Sequence, residues 1–102
     1  MKNYNTKTTV ERFREITQEM VDLYEKKNNN YGDSFAEIFE DFEEFGPIVG
    51  IFPLCTKISR VKNLVKGGKN DFESLEDSLI DLANYTIMYL IELEKRSENN
   101  EK

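Results

Sequence analysis

The sequence contains no histidine. Imidazole general bases, Ser/His/Asp relays and His-rich zinc sites are therefore excluded. Cysteine is nearly as scarce: Cys55 stands alone, so no internal disulfide can form. A reducing cytoplasm is the natural setting for such a chain. With no histidine to activate it, Cys55 reads as a core thiol. There is no CxxC pair and no glycine-rich phosphate loop. No apolar run approaches the roughly 18 residues that a transmembrane helix needs. Met1 to Thr9 is polar and lacks the apolar stretch of a secretory leader, so no signal peptide is expected. Acids outnumber bases, with 20 Asp and Glu against 14 Lys and Arg and a net charge of -6. That balance argues against binding duplex nucleic acid. It leaves room for a small phosphorylated ligand held by a local basic cluster. Strand-like alternation, internal repeats and long linkers are missing too.

What is present is helical. A chain of 102 residues, 38% apolar and 33% charged, makes one domain with a modest core. Residues 1–8 read as a flexible polar lead, 9–96 as a single helical domain, and 97–102 as a disordered tail. Thr8 or Thr9 can cap a first helix over about residues 9–28, with Val10, Phe13, Ile16, Met20, Leu23 and Tyr24 on one face. Asn28 to Gly32 reads as a loop. Asp33 or Ser34 can then cap a second helix, whose Phe35, Phe39, Phe42 and Phe45 are expected in the core, and Gly46-Pro47 stops it. The third helix is expected over 48–66, with Ile51, Leu54, Ile58, Val61, Leu64 and Val65 apolar and Pro53 kinking it or sitting in its first turn. After Gly67-Gly68, a fourth runs from about Asp71 to Arg96. The expected fold is an all-α, antiparallel four-helix bundle. Its last helix is apolar on more than one stripe, so a second copy should complete the burial, most simply in a homodimer.

Three constellations carry chemistry. Glu73, Asp77 and Asp81, spaced i, i+4 and i+8, put carboxylates on one face of the most apolar helix. An acid row there needs a cation. With one cysteine and no histidine, the fitting metal is a hard ion with oxygen ligands, Mg²⁺ or Mn²⁺. Glu76, by contrast, reads as solvated. Lys57 and Arg60 share a face of the third helix, and either neutralise the acids or grip phosphate. Lys26 to Phe35 combines cations, amides, Tyr31 and a helix start, which can receive an anion, although spacing alone favours an ordinary interhelix loop with a helix cap.

These motifs together are similar to the nucleotide modification associated domain family: Lys27…Tyr31-Gly32-Asp33-Ser34-Phe35, Lys57-x-x-Arg60, and Glu73-Ser74-x-Glu76-Asp77-x-Leu79-x-Asp81-Leu82-Ala83-Asn84-Tyr85. That family is frequent in phages and mobile elements. It resembles the MazG-like all-α nucleoside triphosphate pyrophosphohydrolases. The resemblance implies an oligomeric helical bundle that binds a nucleotide. Lys27, Tyr31, Ser34, Lys57, Arg60 and Asn84 would contact ligand, and Asp77, Asp81 and Glu73 would hold Mg²⁺. No catalytic residue is assigned. Where the pattern expects acids, this chain has Asn30 and Thr56, so another carboxylate would come from Asp33, Glu37 or Asp41. Two sharp functions follow, a Mg²⁺-dependent nucleotide pyrophosphohydrolase or a non-catalytic sponge for a linear or cyclic nucleotide signal of host defence, beside a blander one, a helical interaction module with no ligand.

Overall fold

The computed structural model describes residues 6–67 and 72–101, with side chains described for all of these except 28–34, 72–73 and 98–101. Among the described residues the chain forms four α-helices, a 3-10 segment and no strand. The all-α expectation holds.

Helix α1 (Thr9–Lys26) starts where Thr8 adopts an extended backbone and its Oγ accepts the Glu11 N–H at 3.0 Å. Lys7 hydrogen-bonds Glu15, while Arg12 reaches Glu15 at 3.1 Å and Glu19 at 3.6 Å. The Lys7 hydrogen bond, reinforced by Arg12, holds the Glu15 carboxyl below its ordinary value. Met20 is buried, but Val10 and Phe13 at the front of the helix are exposed.

The loop expected at Asn28–Gly32 is not there. One residue, Lys27 (φ -108, ψ 17), breaks the chain, and helix α2 (Asn28–Asp41) begins at once. The weak helix propensity of asparagine matters little in a first turn, where Asn is at home. Phe35 and Phe39 then anchor the helix by burial.

Helix α2 ends at Asp41, and a 3-10 segment (Glu43–Gly50) follows. Within it Gly46 takes φ 75, a left-handed conformation that glycine alone adopts cheaply. Phe42, the C-cap of α2, and Phe45 lie beyond the helical register of α2 and stay exposed rather than joining the core. Helix α3 (Ile51–Lys66) starts later than expected, which places Pro53 in its first turn, where the missing N–H costs nothing.

Helix α3 lies along helix α4 (Phe72–Glu101). Leu54, Lys57, Val61 and Leu64 recur at spacings of 3, 4 and 3, and are half-buried in that contact. Ile51, Ile58 and Val65, expected on the packed side, are exposed instead. Cys55, one residue beyond Leu54 and so about 100° around the helix, is also exposed rather than a core thiol. Helix α4 runs past Arg96, whose guanidinium lies 4.6 Å from the Phe39 ring centre.

The core is small. Phe35, Phe39 and Met88 form it, with Tyr24, Tyr85 and Tyr89 packed around them. Phe35 meets Tyr85 edge-on at 5.8 Å, and Tyr89 lies 5.9 Å from Phe39. The molecule measures 50 × 31 × 22 Å, with a radius of gyration of 16.0 Å. A compact domain of this length has about 13 Å.

Candidate functional site

Helices α1, α3 and α4 enclose a cleft of 330 Å³ lined by Leu23, Lys27, Arg60, Asp77, Ser78 and Asp81. Each wall follows from local structure. Leu23 and Lys27 close α1, the second at the break before α2. Asp77, Ser78 and Asp81 fall on one side of α4, within four residues of one another. The seam of α3 with α4 brings Lys57 and Arg60 opposite them.

Two contacts organise the cleft. Lys57 Nζ pairs with Asp81 Oδ2 at 2.6 Å, each side chain about a quarter exposed. At that exposure the pair contributes about 1 kcal/mol. Arg60 Nε donates to Ser78 Oγ at 3.1 Å, and Ser78 is only 5% exposed. This bond holds the guanidinium at the rim of the cleft. Asp77 is exposed, and makes no hydrogen bond or ion pair among the described residues.

The structure thus brings Lys27, Lys57, Arg60, Asp77 and Asp81 to one place. Asn84 lies elsewhere: it is buried, and its Nδ2 donates to the Met20 carbonyl at 3.4 Å, pinning α4 to α1. Tyr31, Ser34 and Glu73 have backbones in α2 and α4, but their side chains lie outside the described residues, as do those of Asn30 and Asp33. Glu37 and Asp41 are exposed and do not line the cleft; Glu76 is exposed too, as expected of a solvated acid. Thr56 points into a separate apolar groove, its hydroxyl bonded to the Phe52 carbonyl at 3.3 Å. Ser78 was missed by sequence reasoning. Its only signal is a small hydroxyl residue one position from Asp77 on the acid-bearing side of α4.

The oxygen donors of the cleft suit a hard cation such as Mg²⁺. Among the described residues no three His, Cys, Asp or Glu side chains cluster to hold a metal. Asp77 and Asp81 make a partial set. Such a set fits Mg²⁺ of the kind held by one or two carboxylates together with substrate phosphates, and does not fit an all-protein cage.

Fold and cleft define a small helical protein with a mixed acid–base cleft. The chain belongs to the family described as nucleotide modification associated domain 1, whose model matches residues 27–93. No curated protein and no solved structure matches it. Among the described residues no helix is long and apolar enough to cross a membrane.

Proposed function

We propose that this protein binds a nucleotide through its phosphates in the cleft, where Asp77 and Asp81 would hold the Mg²⁺ that accompanies them. The convergence of Lys27 and Arg60 with two carboxylates carries the reading, and the family match supports it. The cleft has nearly balanced charge, so an anionic phosphate needs a cation beside the two acids. Mg²⁺ would neutralise the phosphates and polarise the scissile P–O bond. Arg60, held by Ser78, grips an oxygen; Lys27 closes the side at α1. The reaction served by such a site is hydrolysis of a nucleoside triphosphate to monophosphate and pyrophosphate.

A second reading is capture without turnover, which would suit a phage protein removing a nucleotide defence signal in the host cytoplasm. Two observations favour it: Lys57 already neutralises Asp81, and Thr56 faces away from the cleft. Calorimetric titration of nucleoside triphosphates and cyclic nucleotides, with and without Mg²⁺, separates the two when the recovered ligand is chromatographed. The first expects Mg²⁺-dependent binding and released pyrophosphate. Intact ligand in every case sinks hydrolysis, and no binding of any nucleotide sinks both.

The protein acts, in this reading, as a homodimer. The chain exposes 7855 Å², whereas a compact 12.0 kDa monomer exposes about 6000 Å². Ile80, Ala83, Ile87 and Leu90 recur along α4 at spacings of 3, 4 and 3, the rhythm of a helix–helix seam. Ile87 and Leu90 are exposed. Ile87 is two residues, about 200°, from Tyr85, so this stripe faces away from α3. Leu90→Glu should convert the dimer to a monomer by light scattering. A wild-type protein that is already monomeric would remove the dimer from the proposal.

A further inference from the structure

Beside the cleft lies a larger groove of 670 Å³, whose walls include Phe42, Phe45, Phe52, Pro53 and Tyr85. Phe45 and Phe52 are 61% and 62% exposed. One side chain links the groove to the cleft. Lys57 Nζ lies 2.6 Å from Asp81, on the cleft side, and 4.8 Å from the Tyr85 ring centre, on the groove side. Asp81 and Tyr85 are four residues apart on α4, so the two hollows run along one helical face.

We propose that the groove is the base site of the nucleotide and that it favours purines. This rests on the phosphate reading of the cleft and assigns the half of the ligand which that reading leaves open. A nucleotide whose phosphates sit among Arg60, Asp77 and Asp81 carries its base one ribose away. Across Lys57, that position is the aromatic groove. Flat rings on Phe45, Phe52 and Tyr85 offer the stacking surfaces that any base can use. Among the described lining residues the polar groups are Thr56, Lys57 and the Tyr85 hydroxyl, and Thr56 donates to the Phe52 carbonyl. Base edges therefore meet few partners. Affinity follows stacked area, which is larger for a purine than for a pyrimidine. The same Lys57 ammonium, shared by an acid and a ring, couples the two halves of the site.

Calorimetry in Mg²⁺ tests this with dATP, dCTP and inorganic tripolyphosphate as probes. Wild-type protein should bind dATP about tenfold more tightly than tripolyphosphate, with dCTP between them. Phe45→Ser/Phe52→Ser should bring dATP down to the tripolyphosphate level and leave tripolyphosphate unchanged, while Phe52→Tyr keeps the wild-type order. Both rings are exposed, so circular dichroism should be unaltered; if the double variant does not fold, Phe52→Ser alone gives the same readout. Three results overturn the groove and spare the cleft: dATP binding no tighter than tripolyphosphate, dATP affinity unchanged in the variant, or a dimer that the variant dissociates, which would make the groove a subunit contact. If the wild-type protein binds none of the three probes, the phosphate reading fails and the base site falls with it.

Discussion

Asp81→Ala should weaken nucleotide binding about a hundredfold in magnesium and strengthen it about fivefold in EDTA. The two signs come from the two things Asp81 does. It supplies one of the two described carboxylates at the cleft, and it carries a negative charge that repels bare phosphate. With magnesium present, loss of that carboxylate leaves Asp77 as the one described acid for an ion that needs anchoring. Without magnesium, removing the charge takes away a repulsion of about 1 kcal/mol in a solvated cleft. It also releases Lys57, now paired at 2.6 Å, to meet the phosphate itself. The variant should fold, because the ion pair is partly exposed and contributes little to stability. Glu76→Ala is the control: Glu76 is exposed on α4 outside the cleft lining, and its replacement should move affinity in neither buffer. Equal losses with and without magnesium would mean that Asp81 only positions Lys57, and the magnesium ion would have to be abandoned.

Much of this site can be read from sequence, because helical periodicity is local. The spacing of Asp77 and Asp81 puts both on one face of α4, and the i, i+3 spacing of Lys57 and Arg60 does the same on α3. Which base meets which acid is not local. It depends on the seam of Leu54, Val61 and Leu64 against α4, which seats Lys57 on Asp81 and Arg60 on Ser78. The expected loop at Asn28–Gly32 fails for a related reason. Propensity disfavours asparagine in a helix by tenths of a kcal/mol, and burial of Phe35 and Phe39 outweighs that by several. The groove had no legible signal beyond Gly46-Pro47. It exists because α2 stops at Asp41 and the chain turns at Gly46, which strands Phe42 and Phe45 outside the core. Cys55 and Ile58 show the same limit: apolar character marks a side chain for burial, but the pairing of helices decides which ones are covered.

Gly50→Ala should cost about 3 kcal/mol of stability, lowering the melting temperature by about 15 °C. Backbone arguments alone give the opposite sign. Gly50 has φ -67 and ψ -17, a conformation alanine adopts freely, so the substitution should stabilise by about 0.5 kcal/mol through the unfolded chain. Packing reverses this. Gly50 is buried at the start of α3, and a Cβ there would overlap the ring of Tyr89. That ring has little room to yield. It lies 6.2 Å from Phe35 and 5.9 Å from Phe39, and its hydroxyl donates to the Pro47 carbonyl at 2.7 Å. Expelling it forfeits two ring contacts of about 1 kcal/mol each and a hydrogen bond of about 1 kcal/mol. A double-mutant cycle isolates the cause: in a Tyr89→Ala background, Gly50→Ala should be neutral or slightly stabilising. An undiminished loss in that background would show that the Tyr89 ring is not the obstacle. The site should feel the change unevenly. Tyr89 ties Pro47, and with it the segment bearing Phe45 and Val49, to α4, so the groove wall loosens when the ring leaves. Lys57 and Arg60 are held to α4 by their own contacts further along α3. At temperatures where the variant remains folded, dATP affinity should therefore fall while tripolyphosphate affinity holds.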